Sequence, residues 1–124
     1  MKLSELVEKH YFHDSSLCGF EYDDNGNVVL TISFCNWMQD YYVEGEPEIL
    51  KISLRFNNVI DCDFKNYEPG KVDNCEILDA LPVTNEHGQQ GIYFLMCDID
   101  IDDDISVTIF AQDVEFVVLG VDED

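Results

Sequence analysis

The sequence predicts a mainly β fold, an antiparallel β-sandwich or partly open barrel of about seven strands with a short N-terminal helix. Apolar side chains recur at every second position in several segments, which is the period of a half-buried strand. Residues that favour turns separate these segments. The 124 residues are 46% hydrophobic and 12% aromatic, a composition typical of a folded chain. We therefore expect one β-rich domain that spans residues 1–124.

A helix and a β-hairpin are predicted at the start of the chain. Leu3, Leu6 and His10 have the spacing of one helix face. Two alternating segments follow on either side of Asn25-Gly26, a pair that readily adopts the positive φ angles of tight hairpin turns. The predicted hairpin strands are 17–22 and 28–34.

The remaining strands are predicted from both alternation and continuous apolar runs. Segment 92–101 opens with six apolar residues and then alternates, which predicts a central strand whose Ile99 and Ile101 face the core. Segment 75–81 fits either a helical turn or a strand. The other predicted strands are 50–56, 59–64, 105–110 and 114–121.

The charge of the chain is strongly negative. Twenty-seven acidic residues against six basic ones give a formal net charge of −21, and Val72 to Asp124 contains no Lys or Arg. Nucleic acid is excluded as a direct ligand, because affinity for a phosphate backbone comes from Lys and Arg. Solubility alone explains such a charge. The functional alternative is a cationic partner, and a basic protein is the one that we expect.

The cysteines and the apolar runs predict a cytoplasmic protein. The N-terminus lacks a secretory apolar run, and the longest apolar run, six residues, is far short of the roughly 20 that a membrane helix needs. The five cysteines form an odd set without a Cys-x-x-Cys pair, which favours reduced thiols over disulfides or structural zinc. Three of them, Cys18, Cys35 and Cys97, are predicted to pack in the core.

A run of aspartates is the candidate metal site. Calcium prefers carboxylate oxygens, and the run supplies Asp98, Asp100, Asp102 and Asp104. An EF-hand is excluded, because Asp103 stands where a glycine is required and Ile109 where a glutamate is required. A solvated strand end explains the same residues. We expect no cofactor, with a calcium- or metal-binding β-sandwich as the alternative.

His10, His13 and Asp14 are the second cluster of reactive side chains. A histidine beside a carboxylate can serve a metal site or a general base, but the sequence identifies no third ligand. Asp14 is equally suited to cap a turn by accepting backbone N–H bonds. Motifs of hydrolases, phosphate loops and metalloproteases are absent from the sequence, so no enzyme is expected and no catalytic residue is assigned.

The segment 36–48 lies between two predicted strands and carries the only tryptophan of the chain. Aromatic residues with an acidic rim are typical of an interface that faces a basic surface. Alternatively, Trp37 and Tyr41 fold back over the core as a lid. The predicted partner-binding residues are Trp37, Tyr41, Tyr42, Glu44, Glu46 and Glu48.

Residues 10–60 carry three short motifs, which are His13-Asp14-Ser15, the hairpin, and the strand 49–56 followed by Asn57-Asn58-Val59. Together they resemble a group of small acidic bacterial proteins, some of which are associated with toxin systems as immunity proteins, while many have no known function. The resemblance implies no catalytic residue. The leading hypothesis is a non-enzymatic binding module, an immunity protein that neutralises a basic toxin.

Overall fold

The structure, a computed structural model, describes residues 1–101 and 103–122. Within this part of the chain the fold is mainly β, with one short N-terminal helix, so the predicted fold class is confirmed. No helix in these residues is long and apolar enough to cross a membrane. The elements are α1 (Leu3–Lys9), β1 (Ser16–Tyr22), β2 (Val28–Cys35), β3 (Ile49–Lys65), β4 (Cys75–Thr84), β5 (Gln90–Cys97) and β6 (Ile105–Val121), with single 3₁₀ turns at Asn36–Met38 and Pro69–Lys71.

The strands form a closed antiparallel barrel in the order β1-β2-β3-β6-β5-β4. Five of the six strand pairings run along most of the shorter strand, from the β1–β2 hairpin to the β4–β5 hairpin. The sixth closes the barrel with two residue pairs, Ser16 with Glu76 and Leu17 with Cys75. Closure leaves most strands with a neighbour on each side, which satisfies their backbone hydrogen bonds.

The described residues form six strands where about seven were predicted. Two predicted pairs of strands are each continuous, and segment 75–81, which fitted either a helical turn or a strand, is part of β4. Segments 50–56 and 59–64 are both part of β3, and segments 105–110 and 114–121 are both part of β6. The two strands pair with each other from Leu50–Val121 to Lys65–Ser106. A register shift between Val59 and Asp61 bends the pair where the sequence pattern breaks. A β-bulge bends a strand without ending it, so the break resembled a turn.

The barrel interior holds the core. Alternating side chains of β2, β3, β5 and β6 point inward and are fully buried, as the period of two predicts. Helix α1 packs on β4, β5 and β6 and adds Leu3 and Leu6 to the same buried cluster. The inward side chains of the four strands include Leu30, Ile32, Phe34, Ile52, Leu54, Phe56, Ile92, Phe94, Val107 and Ile109.

The predicted hairpin joins β1 to β2, but its turn differs from the expected one. Gly26 has a φ of 78°, whereas Asn25 has no positive φ. The carboxylate of Asp23 accepts hydrogen bonds from the backbone N–H groups of Asn25 and Asn27, at 2.9 and 3.0 Å. An aspartate that captures nearby N–H groups holds such a turn with a single left-handed residue.

The predicted strand 92–101 ends early, at Cys97. The N–H of Asp100 donates to the Asp98 carboxylate at 2.9 Å, and the N–H of Ile101 donates to the Asp98 carbonyl at 3.0 Å. This turn contradicts the predicted inward position of Ile99, whose side chain is 97% exposed. Ile101 does pack against the core. The side chain of Asp98 offers the backbone an alternative to the sheet and so ends the strand.

All five cysteines are free, but their positions differ from those predicted. Cys35 is buried as expected, Cys18 is half-buried, and Cys97 is exposed, so the core position predicted for Cys97 is wrong. Cys97 follows the inward-facing Met96 and therefore points outward. The fully buried thiol that the pattern missed is Cys75.

Candidate partner-binding loop

Residues 36–48 connect β2 to β3, and we call them the aromatic loop. The two ends of the loop are held together by hydrogen bonds. The N–H of Trp37 donates to the carbonyl of Glu48 at 3.1 Å, and the side-chain amide of Asn36 donates to the carbonyl of Pro47 at 2.9 Å. The loop therefore leaves and re-enters the barrel at one fixed place.

Gln39 anchors the middle of the loop and is buried, although its chain neighbour Asp40 is exposed. Its amide nitrogen donates to the carbonyls of Tyr11 and Cys35, at 2.6 and 3.0 Å. Its amide oxygen accepts from the N–H of Tyr11 at 2.8 Å. One side chain thus satisfies three backbone groups of two other segments. Sequence reasoning missed Gln39, because a single glutamine among polar residues has no periodic signal.

The three aromatic residues of the loop lie at the surface. Trp37 is 50% exposed and Tyr41 46% exposed, while Tyr42 is half-buried. None of them belongs to the buried core cluster or packs against it. These positions do not fit the alternative in which Trp37 and Tyr41 form a lid over the core.

The second half of the loop is folded on itself and is acidic. The hydroxyl of Tyr42 donates to the carbonyl of Glu46 at 3.1 Å, and the Glu46 carboxylate accepts from the N–H of Val43 at 2.8 Å. Desolvation raises the pKa of Tyr42, and the charges of Glu48, Glu46 and Glu44 raise it further. The predicted glutamates are thus close enough to act on one aromatic side chain.

His10 links the loop to the barrel. Its Nδ1 and the hydroxyl of Tyr41 lie 2.7 Å apart, and its ring stacks on Phe116 with centroids 4.1 Å apart. Desolvation, with a smaller effect from Lys9, lowers the pKa of His10. Desolvation and the charges of Asp40 and Glu46 raise the pKa of Tyr41 to about 12. At neutral pH the imidazole is therefore uncharged, and the Tyr41 hydroxyl donates to it.

The structure does not bring His10 and His13 to a common ligand position. The Nδ1–H of His13 donates to the carbonyl of Leu78 at 2.7 Å, and its Nε2 lies 3.4 Å from the Asp14 carboxylate. The bond to Leu78, reinforced by the charge of Asp14, raises the pKa of His13. Asp14 has a φ of 68°, and its described side-chain contact is this histidine instead of the backbone N–H groups predicted for a cap.

The aspartate run lies beside a cleft of about 660 Å³, which Tyr67, Glu76, Asp98 and Asp100 help to line. Both oxygens of Asp98 have partners, since one accepts the N–H of Asp100 and the other lies 3.2 Å from the Tyr67 hydroxyl. Among residues 1–101 and 103–122, no group of three or more histidine, cysteine or acidic side chains is arranged to hold a metal ion. Asp102, one of the predicted candidates, lies outside the described residues.

Comparison with protein-family models, curated proteins and solved structures finds no match to this chain. The resemblance of residues 10–60 to small acidic bacterial proteins therefore stays a prediction from short motifs. The functional interpretation depends on the geometry of the aromatic loop and on the charge of the chain.

Proposed function

We propose that this protein is a non-enzymatic binding module whose aromatic loop docks onto a basic protein surface. The observation that carries the proposal is the exposure of Trp37 and Tyr41 on a loop whose backbone is fixed by Gln39 and Asn36. An exposed tryptophan on a mobile loop would lose much of its binding energy to ordering. On a fixed loop that loss is already reduced before the partner arrives.

Aromatic anchors and charges have separate roles in such a complex. Burying one aromatic anchor in a partner pocket contributes on the order of 2 kcal/mol or more, whereas an exposed ion pair contributes less than about 1 kcal/mol. Trp37 and Tyr41 therefore determine how long the complex lasts. The net charge of −21 accelerates the encounter with a basic surface and excludes acidic competitors.

The partner that fits these features best is a basic toxin, for which this protein acts as the immunity protein. A toxin that cleaves nucleic acid needs a surface rich in Lys and Arg to bind the phosphate backbone. An acidic protein that covers that surface blocks the substrate. The motifs in residues 10–60 support this choice, because the proteins that they resemble include immunity proteins.

Affinity capture from the native host tests the proposal. Tagged wild-type protein is compared with Trp37→Ala and with a matched control, Tyr22→Ala. Tyr22 is 60% exposed and lies at the opposite end of β2 from the loop. We expect the wild type and Tyr22→Ala to capture a basic protein and Trp37→Ala to lose it. The association rate of the captured protein with the wild type should fall as salt is added. An acidic partner, or equal capture by all three proteins, contradicts the proposal.

A further inference from the structure

The second half of β6 has a free backbone edge. Strand β5 pairs with β6 only over residues 105–110, whereas β3 pairs with β6 as far as Val121. Within the described residues, no strand pairs with the side of residues 116–121 that faces away from β3. We call residues 116–121 the free edge. Unpaired strand edges are templates for pairing with another chain.

The direction of the backbone groups on this edge follows from Val114. The N–H of Val114 donates to the Met1 carbonyl at 3.0 Å, and the Met1 amino group donates to the Val114 carbonyl at 2.9 Å. In an antiparallel sheet, the two groups of one residue point to the same side, and successive residues alternate. Phe116 and Val118 therefore point their N–H and C=O groups to the side on which Met1 already pairs. The edge offers four backbone groups to an added strand.

The side chains leave this edge open and uncharged. Val117, Val118 and Leu119 are 44%, 53% and 57% exposed. Residues 116–121 include no lysine and no proline, two residue types that commonly protect an exposed edge. A register shift at Leu119 ends the regular stretch, so an added strand is expected to bond at Phe116 and Val118.

An acidic hollow lies beside the edge. It has a volume of about 530 Å³ and is lined by Glu8, Lys9, His10, Asp40 and Tyr41. The stack of His10 on Phe116 places the hollow next to the start of the free edge. Glu8 and Asp40 give the lining two carboxylates beside the ring of Tyr41, and the one ammonium group of the lining, that of Lys9, lies 3.5 Å from the Glu5 carboxylate. This combination suits the long cationic side chain of a Lys or Arg.

We propose that the free edge takes an extended segment of the basic partner as an added strand, with a Lys or Arg of that segment in the acidic hollow. This rests on the proposed function and says how the partner is held. A second copy of the chain fits less well, because each copy has a net charge of −21.

A synthetic peptide tests the edge without the host partner. The probe is the acetylated and amidated peptide Arg-Thr-Val-Thr-Val-Arg, and the control has Glu in place of both Arg residues. We expect saturating probe to slow amide hydrogen exchange at Phe116 and Val118 by about tenfold or more. The amide of Val117, which points to β3, changes little. Unchanged exchange at Phe116 and Val118, or equal protection by the acidic peptide, overturns the proposal.

Two substitutions at one position separate the backbone from the side chain. Val118→Pro removes the N–H that points to the open side, and proline is tolerated at an edge where the N–H faces solvent. Val118→Thr keeps the N–H. We expect Val118→Pro to weaken probe binding about tenfold or more and Val118→Thr to bind like the wild type. Equal binding by both variants overturns the proposal, as does dimerisation of the free protein through residues 116–121.

The hydrogen-exchange result does not depend on whether Val118→Pro folds, because it uses the wild-type protein. The two proposals also fail separately. If the probe does not bind while capture of the host partner still requires Trp37, the proposal for the free edge is wrong and the proposal for the aromatic loop is retained. If Trp37→Ala still captures the host partner, the proposal that the aromatic loop binds it is wrong.

Discussion

The imidazole of His10 lies flat on the phenyl ring of Phe116, with centroids 4.1 Å apart and ring planes within 4° of each other. The same imidazole bonds to the Tyr41 hydroxyl at 2.7 Å. One side chain after α1 therefore joins the aromatic loop to the free edge of β6. The two proposed contact regions form a continuous surface because of this residue.

The position of His10 predicts a loss of stability on mild acidification. Desolvation lowers its pKa in the folded protein, whereas in the unfolded chain it titrates near a pH of about 6.5. Below that pH the unfolded state takes up the proton first, so the free energy of unfolding falls. His10→Phe keeps an aromatic ring against Phe116 and has no proton to bind. We expect the free energy of unfolding of His10→Phe, measured with urea, to fall less than that of the wild type between about pH 7 and 5.5.

His13 provides the control of opposite sign. Its pKa is raised in the folded protein by the bond to the Leu78 carbonyl. The stability that His13 contributes to the folded protein is present in full below the pKa of the unfolded chain. That stability is lost as the pH rises through the raised pKa of the folded protein. His13→Gln should therefore make the free energy of unfolding fall more steeply on acidification, whereas His10→Phe should make it fall less steeply. If His10→Phe follows the same pH profile as the wild type, the packing role of His10 is wrong.

Gln39 is expected to be the most sensitive position of the loop. Gln39→Ala leaves the buried carbonyl of Cys35 and the partly buried N–H and C=O of Tyr11 without their partner, at a cost of about 1–3 kcal/mol. The matched control is Gln112→Ala, whose exposed amide oxygen accepts from Asn58 and whose loss should cost within about 0.5 kcal/mol. Chemical denaturation measures both. A Gln39→Ala variant as stable as Gln112→Ala contradicts the anchoring role.

Alternation alone predicted the fold class and most of the inward-facing residues. It failed where a local side chain competes with the sheet, as Asp98 does when it ends β5 and exposes Ile99. It also divided β3 in two at a bulge near Asn58, which has a φ of 52°. A bulge and a turn break the period in the same way, so the sequence pattern does not distinguish them.

The candidate site was predicted only in its exposed part. Trp37 and Tyr41 stand out by residue type, since large aromatics in an acidic segment are unusual. The supports of the loop do not, because Gln39 holds the loop on Tyr11, and Phe116 stacks on His10, through contacts between segments far apart in the chain. Such long-range pairing has no signal in a single sequence.

The exposure of the thiols predicts one fast-reacting cysteine. Cys97 is exposed, whereas desolvation raises the pKa of both Cys62 and Cys75 to about 11. Because the thiolate is the reactive form, the native protein should label first at Cys97. Cys97→Ser should remove the fast phase of a thiol-reagent titration. Fast labelling of Cys75 in the native protein contradicts the burial described.

The surroundings of Asp98 predict no structural calcium. One Asp98 oxygen accepts the N–H of Asp100, and no group of three or more histidine, cysteine or acidic side chains in the described residues is arranged to hold an ion. Thermal unfolding should therefore be unchanged by micromolar calcium. A melting temperature that rises by several degrees would favour the metal-binding alternative, because a ligand that binds only the native state stabilises it by mass action.

The central claim is tested most directly by the dissociation rate of the captured host partner from three proteins: the wild type, Trp37→Ala and Tyr22→Ala. A buried aromatic anchor predicts that Trp37→Ala raises the dissociation rate by about tenfold or more, while Tyr22→Ala leaves it unchanged. Substituting single glutamates of the loop should slow association only slightly, because each exposed charge contributes little. If Trp37→Ala dissociates at the wild-type rate from a partner that binds the folded protein, the aromatic loop is not the interface.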